Sequence, residues 1–357
     1  LLGLTLLLTR TRFGTLVRAA TQDREMVGAL GVNQAWLFTA VFALGTLLAG
    51  LGGALQLPRE PASLEMDMLT IGAAFVVVVV GGMGSIPGAF IAALLVAELK
   101  AVCIWLGVQE IAGLELSFSK LTLVVEFLVM AVVLIWRPWG LLGKPQALAR
   151  NADEPEQPLR RSGRGATAAW LGLLSALVLL PLTTGVAEGG SYTTVLLADI
   201  FVAALFASSL HFILGPGGMH SFGHAAYFGL GAYGAALLVR TLDLPMEAAL
   251  LLGPLAAAAG ALLYGWFCVR LSGVYLTMLT LAFAQISWAI VFQWDDFTGG
   301  SNGLTGVWPP EWASQGSTFY WLALGICALG IYLLRRLLFS PLGYALRGVR
   351  DSGLRAE

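Results

Sequence analysis

Charge is what this sequence has least of. Only 11% of its 357 residues are Asp, Glu, Lys or Arg, against roughly one-quarter in ordinary soluble domains. With 58% hydrophobic residues and a mean hydropathy of +0.82, that scarcity excludes a soluble globular domain and puts the chain in a membrane. Basic and acidic residues nearly cancel, leaving a net charge of −1, so no global positive field argues for nucleic acid. Cysteine is equally sparse. Cys103, Cys268 and Cys327 stand singly in apolar runs without metal-type spacing, which argues against a disulfide framework and a zinc ribbon. A phosphate-binding G-x-x-x-x-G-K-[ST] loop, a dinucleotide fingerprint and a nucleophile paired with a base are all missing. Neither ATP hydrolysis nor another reaction is therefore assigned to the chain, no cofactor is implied, and energy for work must come from a partner.

Long apolar runs are abundant. They lie near 34–56, 67–83, 88–107, 117–136, 168–184, 193–214, 223–240, 246–270, 274–293 and 318–338, and most reach the ~20 residues a helix needs to cross a bilayer. The pattern predicts an all-α, polytopic transmembrane helical bundle of about ten spans. The opening "LLGLTLLLT" is too short to span, has no charged leader and runs straight into Arg10, so it reads as the tail of a helix that starts earlier.

Charge placement supplies the orientation. Residues 10–33, 137–166 and 335–357, with Arg270, hold sixteen of the twenty Lys and Arg. Threading ten spans alternately puts all of these on the cytoplasmic side, as the positive-inside tendency requires. The other side receives "PREPASLEMD" (58–67) and the segment 294–317, acidic on balance and carrying Trp294, Trp308 and Trp312. Between two of the spans, residues 144–166 hold Pro145, Pro155 and Pro158 and little that is apolar, which predicts a cytoplasmic linker. The chain thus divides into a first membrane module at 1–143, the linker, and a second module at 167–357.

Each module carries a similar basic segment, "RTRFGTLVRAATQDREMVGALGVN" (10–33) and "SPLGYALRGVRDSGLRAE" (340–357). Aligning Gly14 with Gly343 also pairs Arg18 with Arg347 and Val17 with Leu346, at a constant offset of 329. Read as one helix, 15–32 places Leu16, Ala19, Ala20, Val27 and Leu30 on one side and Arg18, Gln22 and Glu25 on the other, with Asp23 intruding on the apolar side. Such a helix would lie across the membrane surface, and an acid on its apolar side calls for a donor from a partner protein. A solvated basic loop that merely sets orientation fits the spacing as well.

The neighbourhood decides between these readings. "FALGTLLAGLGGAL" (42–55), "FVVVVVGGMGSIPGA" (75–89) and "RPWGLLG" (137–143), together with the first basic segment, resemble the C-terminal part of the LivH-like permease of ATP-binding-cassette importers for branched-chain amino acids. "GPGGMHSFGHAAYFGLGAY" (215–233), "VRLSGVYLTMLTLAFAQI" (269–286), "TGGSNGLTG" (298–306) and the second basic segment resemble the N-terminal part of its LivM-like partner. The resemblance implies a permease subunit in a bacterial-type inner membrane. It would work with a cytoplasmic ATP-binding subunit, a periplasmic or extracellular solute-binding protein and further permease segments. The cargo would be a branched-chain amino acid, urea or a similar small polar solute. It also implies that both basic segments are coupling helices that dock on the ATPase, with Gly14 and Gly343 at the turn and Arg18, Asp23 and Arg347 facing the partner. Both halves look incomplete, the second stopping inside its coupling helix.

Other features leave alternatives open. His211, His220 and His224 fall within fourteen residues, yet no carboxylate or cysteine completes a metal set, Asp199 being the nearest acid. Gly223, Gly229, Gly231 and Gly234 suit close helix packing, and His224 a translocation path equally. "GGMGSIPGA" (81–89) is either a tight turn or a break lining a path through Gly82 and Gly84. Among ionisable residues inside spans, Glu126 and Asp199 lie nearest mid-span and are candidates to line a cavity or to bond between helices. Besides the importer, an ion-coupled secondary transporter and a membrane metalloenzyme remain, but neither needs the duplicated segment.

Overall fold

The computed structural model describes residues 2–64, 66–111, 114–122, 124–144, 163–183, 192–307, 310–314 and 316–351. The first helices are α1 (Leu2–Arg10), α2 (Arg12–Gln22), α3 (Arg24–Ala29), α4 (Gln34–Gln56), α5 (Met66–Gly81) and α6 (Ile86–Leu106). A two-stranded ribbon follows, β1 (Val108–Ile111) and β2 (Leu114–Ser117), then α7 (Phe118–Leu121) and α8 (Val125–Trp136). The remainder is α9 (Arg164–Thr183), α10 (Tyr192–Leu214), α11 (His224–Leu242), α12 (Met246–Cys268), α13 (Gly273–Gln293), α14 (Asp295–Thr298), α15 (Glu311–Ser314), α16 (Gly316–Leu338) and α17 (Pro341–Asp351). Eight of these are long and apolar enough to cross a membrane, and shorter apolar helices cover Thr70–Gly81 and Val125–Trp136. The architecture is an all-α polytopic bundle. Most of the expected linker lies outside the described residues, and α9 begins at Arg164, inside the stretch assigned to it.

The run at 117–136 departs most from a single span. Val124 N–H bonds the Leu121 carbonyl (3.0 Å), one residue short of an α-helical register. The carbonyl of Lys120 instead accepts from Gln293 Nε2 (2.5 Å), while Lys120 Nζ reaches Asp295 Oδ2 (3.1 Å) and the Gln293 carbonyl (3.3 Å). A charge that finds its counter-charge after the end of α13 holds residue 120 at that level, so only α8 continues as apolar helix. The register of the antiparallel ribbon pairs Val108 with Ser117.

Packing divides the chain into two compact units, Leu1–Val102 with Trp139–Lys144, and Cys103–Pro138 with Pro145–Glu357. In the first, the expected single surface helix is broken. Asp23 is extended (φ −147°, ψ 102°), ending α2 and opening α3. The break lets Ala20 and Val27 close on Leu37 in α4, with Phe13, Val17 and Val32 around them, whereas Leu16 and Leu30 stay exposed. The apolar side is thus largely consumed within the chain.

The glycine-rich stretch after α5 is a tight turn. Gly82 has φ +96°, a left-handed conformation, and a Cβ there would strike the Gly143 backbone and the Trp139 carbonyl. Segment 139–144 lies directly on the turn, and the amides of Leu141 and Leu142 donate to the carbonyls of Val80 (2.8 Å) and Gly81 (3.1 Å). These are acceptors that the end of α5 cannot satisfy by itself. "GGMGSIPGA" and "RPWGLLG" therefore form one clasp.

In the second unit, α16 packs on α10 through Tyr320, Leu324, Cys327 and Phe201. It also repairs α9. Pro181 has no N–H to give to the Leu177 carbonyl, and Tyr320 Oη, fully buried, donates to that carbonyl instead (2.8 Å). Trp321 Nε1 does the same for Val178 (3.2 Å). Helices α11 and α12 approach where Gly231 and Gly234 face Gly253, Ala256 and Ala257, as small residues permit in lipid. Gly229 has nothing near it and Gly223 packs on α13, so only two of the four glycines serve that contact. Met130 and Leu134 of α8, fully buried one helical turn apart, lie on the face that meets α13, where Leu279, Ala282 and Ala289 are also fully buried.

Candidate functional site

Both basic segments begin with the same corner. In the first, Gly14 N–H donates to Thr11 Oγ1 (3.2 Å) and that hydroxyl donates to the Leu7 carbonyl (2.5 Å). In the second, Gly343 N–H donates to Ser340 Oγ (3.4 Å), which donates to the Leu337 carbonyl (2.6 Å). Each hydroxyl caps the amphipathic helix while gripping the end of the helix before it. A Cβ on Gly14 would strike the backbone of Leu8, and one on Gly343 the carbonyls of Leu337 and Leu338. The glycines are needed for this close approach and not for a turn: neither has positive φ, and both sit inside their helices. The offset of 329 extends to Leu8 with Leu337 and Thr11 with Ser340. The hydroxyls escaped the reading of the sequence, although a Ser or Thr three residues before a glycine was visible in both segments.

The paired arginines differ. The Arg18 side chain is exposed and makes no hydrogen bond or ion pair among the described residues. Arg347 turns inward, its Nε on the Gly343 carbonyl (3.1 Å), its Nη2 on the Leu338 carbonyl (3.1 Å) and its guanidinium 4.4 Å from the Tyr344 ring centre. It thereby serves the last carbonyl of α16. Asp23 also has an internal role: its carboxylate accepts from Met26 N–H (2.9 Å) as the N-cap of α3. A partner's donor is not needed to explain it, because the intrusion existed only in a helix drawn straight through residue 23. Along α17, Leu342 and Val349 are exposed on one side and Tyr344 on the other, among basic residues.

The residues expected to line a path stand on separate elements. His224 heads α11, its Nε2 2.8 Å from Ser209 Oγ on α10 and its ring beside Phe206 and Tyr227. Asp199 is exposed on α10, seven residues before Phe206 and so on the same face. Glu126 is buried in the first turn of α8, where the carboxylate suits the helix dipole. Gly82 lies in the clasp and Gly84 is exposed in the turn beside it. Among the described residues no three His, Cys, Asp or Glu side chains gather as metal ligands.

A protein-family model described as branched-chain amino acid transport system / permease component matches residues 1–134 and 192–357. The high-affinity branched-chain amino acid transport system permease protein BraD of Pseudomonas aeruginosa is 34% identical over 145 residues, 40% of this chain and 44% of that protein. LivM of Escherichia coli, of the same description, is 26% identical over 206 residues, 50% of this chain and 48% of its own. LivH of Escherichia coli is 30% identical over 148 residues, 41% of this chain and 44% of that protein. The chain spans about half the length of the curated relatives it matches. No solved structure matches it.

Proposed function

Because the chain belongs to the branched-chain amino acid transport permease family, we propose that it forms part of the membrane permease of an ABC importer, driven by a separate cytoplasmic ATP-binding subunit and supplied by a periplasmic or extracellular solute-binding protein. The cargo is a branched-chain amino acid or a similar small polar solute, and the site of action is a bacterial-type inner membrane. Further permease segments complete the pore. The sequence modules 1–143 and 167–357, joined by 144–166, are a LivH-like and a LivM-like part.

One observation carries this reading: a corner with its hydroxyl and its glycine at matching positions recurs 329 residues apart, the hydroxyl gripping a carbonyl four residues back in the first and three back in the second, and it launches an amphipathic helix each time. A helix fixed by backbone contact to the end of a membrane helix moves with it as a rigid body. Two such helices suit two ATPase subunits, and an ion-driven transporter has no use for them. In this arrangement Gly14 and Gly343 seat the corners, Arg347 and Asp23 hold their helices in shape, and Arg18 offers its free charge to the ATPase. Of the residues placed in the membrane, His224 and Asp199 on the Phe206 face are the better candidates for the path. Glu126 sits buried at the start of α8, and Gly82 and Gly84 form the clasp and its turn.

The test uses the complete transporter. Arg18→Glu, which reverses a charge, together with Tyr344→Glu, which introduces one, should weaken ATPase association roughly tenfold, while membrane insertion and affinity for the binding protein stay parental. Parental association of the double variant would return both segments to orientation-setting loops.

A further inference from the structure

Segment 215–223 leaves the end of α10 and turns back into the bundle. The amides of Gly217 and Met219 fold onto the carbonyls of Phe212 (3.3 Å) and Ile213 (3.1 Å), with Gly218 left-handed at φ +62°. Farther on, Phe222 N–H donates to Thr280 Oγ1 (3.1 Å), and Gly223 packs on the Thr280 carbonyl so closely that a Cβ has no room. Thr280 lies seven residues into α13, a depth of about 10 Å at 1.5 Å per residue. Non-helical backbone at that depth is tolerated because protein surrounds and bonds it.

The outer part of the loop is held from α17. Arg350 Nη1 donates to the Gly215 carbonyl (2.8 Å), and the arginine stem lies where a side chain on Gly218 would be. The first basic segment has no counterpart: offset by 329, the position of Arg350 is occupied by Thr21. There Arg24 ties α3 to α4 instead, through Gln34 (3.0 Å) and the face of Phe38.

We propose that Arg350 is a positioning residue for transport: it fastens α17 to the loop 215–223, and the loop carries displacement of α17 to the contact of Phe222 and Gly223 with Thr280 inside the bundle. This rests on the reading of α17 as a coupling helix. A guanidinium on a carbonyl beyond the end of α10 is a charge-assisted bond favoured by the helix dipole, and its planar fork cannot be matched by lysine. The link is contiguous from the surface helix to α13 and to His224 at the head of α11.

The experiment uses the complete transporter in open membrane fragments accessible from both sides, with the three native cysteines replaced and His220→Cys as reporter for a membrane-impermeant thiol reagent. Arg350→Ala, and Gly218→Ala from the opposite side of the contact, should each raise labelling at 220 roughly tenfold, the loss of one charge-assisted bond. Arg350→Lys should lie between. The ATPase should stay bound, but cargo moved per ATP hydrolysed should fall. Ser301→Cys as a second reporter should be unchanged, which separates a loosened loop from a collapsed fold. Unchanged labelling in both variants overturns the link, and a loosened loop with parental transport per ATP overturns its role in transport. If the parental chain binds no ATPase, the coupling reading falls and takes the transport role with it, while the labelling still decides whether Arg350 holds the loop.

Discussion

At Asp23 a single carboxylate changes the shape of the first basic segment. Its chain conformation ends α2 and its side chain starts α3. Asp23→Ala should therefore cost about 1 kcal/mol of local stability, the usual price of an N-cap, and Asp23→Ser much less. Hydrogen exchange at the Met26 amide reads this directly, with faster exchange in the alanine variant alone. The residue was legible as a cap, since Asp before a short polar-apolar run is a helix start. Face counting hid it by assuming a continuous helix. The two paired arginines carry a related lesson. Their alignment was readable, but their roles depend on which carbonyls lie within reach, and only Arg347 finds them. Arg347→Ala should lower the thermal stability of the membrane protein, while Arg18→Ala should leave it within about 0.5 kcal/mol of the parent, as exposed substitutions do.

Among the helices, hydropathy located the spans because burial in lipid leaves a run of apolar residues that a window detects. It could not locate the interruption before α8, because the partners of Lys120 lie more than 170 residues away. The repair of α9 was equally invisible, since a proline warns of a missing donor without naming its substitute. Tyr320→Phe should strand the Leu177 carbonyl and cost about 1–3 kcal/mol. Pro181→Ala restores an N–H to that carbonyl and should remove most of the penalty. A double-mutant cycle on unfolding in mixed detergent measures this, and additive effects of the two changes would show that Tyr320 does not serve Leu177.

For the molecule as a whole, charge placement predicts that Ser301 and Val349 lie on opposite sides of the membrane. A cysteine at 301 should react with an impermeant reagent from outside intact cells and one at 349 should not; the reverse pattern would invert the topology. The proposed modules and the compact units divide the chain differently, because resemblance follows descent and compactness follows contacts: residues 103–138 pack with the second unit, while 139–144 return to the first. The clasp at 139–144 sets a timetable. The carbonyls of Val80 and Gly81 receive the amides of Leu141 and Leu142, which a ribosome adds about sixty residues later, roughly 3–12 s at ordinary rates of synthesis. Until then the end of α5 sits in the membrane with two acceptors waiting, and the unit that begins the chain is among the parts that cannot be finished early.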